Sequence, residues 1–140
     1  MKYICDAPDK KTWFRLETEA EADRESELMD HAVAKHYRCE REQAMGGFKP
    51  ASTVNFEQNI GMEAHIQRSI PLFLTLQNPD DDALVTAMLP PDPPDSASKT
   101  IIVGPGNSDP YPDPQTSIDA LGAHFKITLD RSRCFPYARQ

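Results

Sequence analysis

The chain has 140 residues, 39% of them apolar and 26% charged, which suits one folded domain over residues 1–140 and is too apolar for full disorder. Its formal net charge is −7. That disfavours nucleic-acid phosphates and anionic membrane surfaces, and leaves a protein partner, a small molecule or a basic target. The three cysteines, Cys5, Cys39 and Cys134, are odd in number and widely spaced, so neither a disulfide framework nor a CxxC zinc site is expected. No apolar run resembles an export signal or a membrane span, so the expectation is a cytoplasmic chain with reduced thiols and no cofactor.

Residues 2–6 and 12–16 are rich in aromatic and β-branched side chains and flank turn chemistry at Pro8 and Asp9, which predicts a β-hairpin. Thr18 and Glu21 then fit a capping box. From there Leu28, Met29, Ala32, Val33, His36, Tyr37 and Ala44 recur at three- and four-residue steps, with Gly46-Gly47 as a stop. The pattern predicts a single long helix over Thr18–Met45.

The next signal has period two. Val54, Phe56, Ile60, Met62, Ala64, Ile66, Ile70, Leu72, Leu74 and Leu76 all fall at even positions, and most odd positions are polar. Side chains alternate across a strand, so this predicts a pleated run with one buried face, broken by a turn or bulge at Gly61 or Gln67–Ser69. Asn78–Asp82 reads as a turn, Ala83–Leu89 and Thr100–Val103 as strands, and the proline-rich segments after them as loops; ten of the 13 prolines lie between Pro79 and Pro136. Ser117–Leu121 reads as a short helix closed by Gly122, and His124–Asp130 as a last strand. The expected fold is α+β: one long helix on a curved, mainly antiparallel sheet, in the order ββ-α-ββββ-short α-β.

No segment carries a catalytic signature, so candidate sites rest on clusters. Glu63 and His65 would share one strand face with Glu57 and Gln67, a polar row that could bind a ligand or supply a carboxylate-oriented histidine; open sheet faces are often simply polar. His36 and Cys39 could share a helix face as metal ligands, against the simpler reading of a core-bordering histidine and a packed thiol. Asp80–Asp82 lacks the alternation of a calcium loop, and Gly104-Pro105-Gly106 lacks a phosphate-loop signature. The acidic run Glu17–Asp30 could imitate phosphates but more simply describes a solvated helix face. Arg131, Arg133, Phe135 and Tyr137 form the one basic and aromatic cluster, suited to anchoring a partner, and its cations could activate Cys134.

The leading expectation is a small non-enzymatic interaction or regulatory protein working through protein contacts. The alternatives are a small-molecule-binding domain or small enzyme around Glu63 and His65, and a metal-dependent protein using His36 and Cys39. An uncovered sheet edge would also permit self-association.

Overall fold

A computed structural model describes residues 1–46, 56–94, 100–111, 113–132 and 134–135, with the backbone alone at 56–60 and 135. The chain opens with a hairpin, β1 (Lys2–Ala7) and β2 (Lys11–Arg15), then runs through three helices: α1 (Glu19–Met29), α2 (Val33–Gly46) and α3 (Phe56–Ser69). Strands β3 (Leu72–Gln77), β4 (Ala83–Leu89) and β5 (Thr100–Val103) follow. Helix α4 (Gln115–Phe125) and a short β6 (Cys134–Phe135) close the fold. The sheet order is β1-β2-β3-β4-β5-β6, antiparallel throughout except that β6 joins β5 in parallel. The α+β class and the mainly antiparallel sheet are as expected; the single long helix and the element order are not.

The expected Thr18–Met45 helix begins as its capping box dictates. Glu21 N–H donates to Thr18 Oγ1 at 3.1 Å, and Thr18 N–H donates to Glu21 Oε1 at 3.2 Å. It breaks at Asp30, which adopts left-handed geometry at φ 52°, ψ 56°. Asp is among the few residues other than Gly that visit this region, because its short side chain bonds locally. The apolar spacing survives the break, since Met29, Val33 and Tyr37 are all buried, whereas Leu28, Ala32 and His36 are exposed.

The period-two run is mostly helix. Residues 56–69 form α3, and the pleated backbone starts only at Leu72; Val54 lies outside the described residues. Met62, Ile66 and Ile70 are even-numbered, but they are also four apart, so the same positions form one helical stripe. Glu, Gln, Met, Ala and Arg around them favour helix, and β-branched residues are few. The run ahead of β6 is also corrected. His124 and Phe125 end α4, Lys126 turns left-handed, and Ile127 N–H returns to the Gly122 carbonyl at 3.0 Å. This close return requires glycine: a Cβ at Gly122 would sit 2.8 Å from the Ile127 carbonyl oxygen.

Helices cover both faces of the sheet. On one face Leu72, Leu74, Leu76, Ala87 and Ile102 pack with Trp13 against Ile118 and Leu121 of α4. The Trp13 indole N–H donates to the Ser117 carbonyl at 2.8 Å and fixes α4 in place. On the other face Leu16, Phe73 and Met88 meet Ala22, Val33, Tyr37, Ile66 and Ile70 of α1–α3. Two-sided burial explains why all six residues of β3 are buried. Strand β1 is an edge, bulged between Tyr3 and Cys5, which makes it a poor template for strand addition.

Gly122→Ala is expected to destabilise the fold by about 1–3 kcal/mol, through overpacking against the returning backbone. Urea denaturation of the variant beside the parent measures it; an unchanged midpoint would remove this account of the α4 exit.

Candidate functional site

The α1–α3 face of the sheet carries a buried carboxyl, Glu25, above two buried hydroxyls, Thr75 and Thr86. Cross-strand pairing puts Phe14, Thr75, Thr86 and Val103 in one row, and Phe73, Met88 and Ile101 in the next. Helix α1 lies over this surface with Ala22, Glu25 and Met29 buried, a 3–4 spacing that includes a carboxylate.

Glu25 is 2% exposed and Thr75 is 0% exposed. The Thr86 hydroxyl donates to Glu25 Oε2 at 2.6 Å. Thr75 Oγ1 lies beside the same carboxyl but makes no hydrogen bond of good geometry. Burial raises the Glu25 pKa, and the two hydroxyls only partly oppose it. No cation acts on this carboxyl among the described residues. The bridge continues outward, with His31 Nε2 2.8 Å from Thr86 Oγ1. Burial lowers the His31 pKa; a hydrogen bond with its own backbone and then Asp30 oppose this, and His36 lowers it further.

His31 opens onto a cleft of about 110 Å³. Its floor is the helix-side surface of the sheet: Phe73, Met88, Ile101 and Val103. Its wall is the α1–α2 corner, His31 to Val33, and its rim carries the exposed residues His36 and Asn107. The arrangement is an apolar floor with a few polar groups at the mouth, next to a buried carboxyl reached through a hydroxyl bridge.

Apart from His36 on the rim, the residues singled out from sequence fall elsewhere. Glu57, Glu63, His65 and Gln67 lie on α3, not on a strand, so Glu63 and His65 no longer share a face by alternation. Glu63 is held by Arg41 at 2.9 and 3.0 Å and accepts from Gln67 Nε2 at 3.0 Å. Arg41 holds the Glu63 pKa down. The Glu57 side chain lies outside the described residues. Cys39 is exposed on α2, and among the described residues no three His, Cys, Asp or Glu side chains are grouped to hold a metal ion. Arg131 forms an ion pair with Asp109; Arg133, Tyr137 and the Phe135 side chain lie outside the described residues. Cys134 is fully buried, 3.5 Å from the Tyr111 hydroxyl. Burial pushes its thiol pKa up, Tyr111 and Thr100 pull it down, and Asp130 and Asp109 push it up again. Among the described residues no arginine acts on this thiol.

Sequence reasoning missed Glu25, His31 and Thr86. Glu25 was hidden in an acidic run that reads as solvated. Its register with Ala22 and Met29 was the available signal.

A scan against protein-family models and searches of curated proteins and of solved structures find nothing that matches this chain. No described helix is long and apolar enough to cross a membrane.

Two outcomes test this geometry. Iodoacetamide is expected to alkylate the exposed Cys39 in the native protein and to reach Cys134 only on unfolding, as peptide mass spectrometry would show. Glu25→Gln is expected to be more stable than the parent at pH 7. A carboxyl whose folded pKa is raised binds more protons folded than unfolded, so stability falls as pH rises above the unfolded value of about 4.3. The advantage of the variant should therefore vanish at lower pH, measured by urea denaturation across pH.

Proposed function

We propose that the chain is a small non-enzymatic interaction protein that grips a protein partner through one apolar side chain seated in the α1–α2 corner cleft. The size of the cleft carries this reading. Sites for metabolites and cofactors commonly enclose about 300–1,000 Å³. The volume here, about 110 Å³, is nearer that of a cavity that accepts a single benzene ring. A branched aliphatic or phenyl side chain on a larger partner suits it. Seating such a group against Phe73, Met88, Ile101 and Val103 would remove their remaining apolar surface from water at about 25 cal/mol per Å². The rim would position the partner backbone, since His36 and Asn107 both carry hydrogen-bonding groups in solvent. The net charge of −7 favours encounter with a basic partner.

A displayed peptide library selected on the immobilised chain tests the reading, with Ala32→Trp as control. Ala32 is exposed at the cleft wall, so the indole would plug the mouth without entering the core. Selected peptides should share one Leu, Ile, Met or Phe and bind the plugged variant at least about tenfold more weakly, a loss of about 1.4 kcal/mol. Enrichment without a common apolar residue, or equal binding to both proteins, would overturn the proposal.

A further inference from the structure

The corner between α1 and α2 has three residues, and it must satisfy the amides that open α2. The first four N–H groups of a helix have no partner inside it. The Ser26 hydroxyl accepts from Ala34 N–H at 2.9 Å, and His31 Nδ1 accepts from Val33 N–H at 3.4 Å. A backbone amide can only donate, so Nδ1 must hold a lone pair. Nε2 of the neutral ring then carries the proton and donates to Thr86 Oγ1. Thr86 has one hydroxyl hydrogen, which goes to Glu25 Oε2. One fixed donor, the Val33 amide, thereby sets the direction of all three bonds.

A second proton on His31 would land on Nδ1 and face the Val33 N–H, donor against donor. It would also place a cation at the positive end of α2. Among the described residues the charged and titratable groups around the ring are Glu25 on α1 across the hydroxyl bridge, Asp30 in the corner itself, and His36 on α2. Strand β4 presents only Thr86 and the turn after β5 only Asn107, both uncharged. The backbone of His31 itself and the exposed Asp30 favour the cation, but burial outweighs both, and the donor conflict with Val33 is local while the corner stays docked.

We propose that His31 is a proton-operated latch, which when neutral pins the α1–α2 corner to β4 and when protonated releases Val33 and loosens the wall of the cleft. Because residues 31–33 are that wall, occupancy of the cleft becomes pH-dependent; this consequence, though not the latch, rests on the cleft being the binding site. Burial lowers the folded-state pKa of His31, so the contribution of the latch is complete above the unfolded value of about 6.5 and is lost as pH falls below it.

Nitrogen-15 NMR of the full chain, with labelled histidine, tests the latch directly. Above pH 7 His31 is expected as the Nε2–H tautomer. On titration toward pH 5 the Val33 and Ala34 amide signals should move with the midpoint of His31. Val33 hydrogen-exchange protection should fall about tenfold, the equivalent of one hydrogen bond. His31→Gln, which can accept from Val33 and donate to Thr86 but does not titrate, should abolish this response. An Nδ1–H tautomer, or Val33 protection that stays constant while His31 titrates, would overturn the latch using the parent protein alone. The Ala32→Trp protein keeps the two readings separable: the Val33 response should persist in it when peptide binding is lost.

Discussion

The structure depends on β3 being buried from both sides. Leu72, Leu74 and Leu76 point into the α4 layer, while Phe73, Thr75 and Gln77 lie under the N-terminal helices. A strand with no wet face forces helices onto both surfaces of the sheet, and its two faces differ in character. The leucine face meets a largely apolar layer. The other places Thr75 and, across the ladder, Thr86 under α1. Buried hydroxyls require partners, and α1 answers Thr86 with Glu25. The buried carboxyl of the molecule is thus placed on one side by the alternation of a single six-residue strand.

What could be read from sequence was local. The Thr18–Glu21 capping box and the Asn78 turn are set by side chains close in the chain; Asn78 Oδ1 accepts from both Asp80 and Asp82 amides at 3.0 Å. What could not be read was decided between distant segments. Even-numbered apolar residues spaced by four satisfy a strand and a helix equally, and Met62 and Ile66 resolve to helix, with Ile70 just past its end, where Leu16, Phe73 and Tyr37 wait for them. The break at Asp30 carries no Gly or Pro, and depends on Ser26 and His31 being placed to cap the next helix. His36 was legible as a functional candidate, but its place on the rim of a cleft follows from that break. Glu25, His31 and Thr86 come from α1, the corner and β4, so no spacing rule could unite them.

The placement of charge follows the same division. Arg15 reaches the end of α3 and donates to the Gln67 carbonyl at 2.7 Å, one of the carbonyls a helix leaves unpaired at its C-terminus. Arg41 bridges α2 to α3 through Glu63 and lies 5.8 Å over the Tyr37 ring. These cations hold helices together. None reaches Glu25, whose carboxyl is met only by hydroxyls. A buried carboxylate without a cation costs several kcal/mol if ionised, so the pocket favours its neutral form. The result is a proton donor or acceptor kept in reserve behind Thr86.

The cleft has a topological cause. Helix α1 spans β3 and β4 and stops at Asp30. Helix α2 then turns away to pack on α3, with Tyr37 against Phe73 at 5.2 Å in an edge-on contact. Beside that turn the helix-side residues of β5, Ile101 and Val103, line the cleft, with no described helix packed over them. A longer corner could have folded over that gap; three residues, committed to capping α2, cannot. The hydrogen bonds that terminate one helix and begin the next are the same ones that leave an apolar floor open beside a histidine. Closing the gap and capping α2 compete for the same residues, and in this chain capping wins.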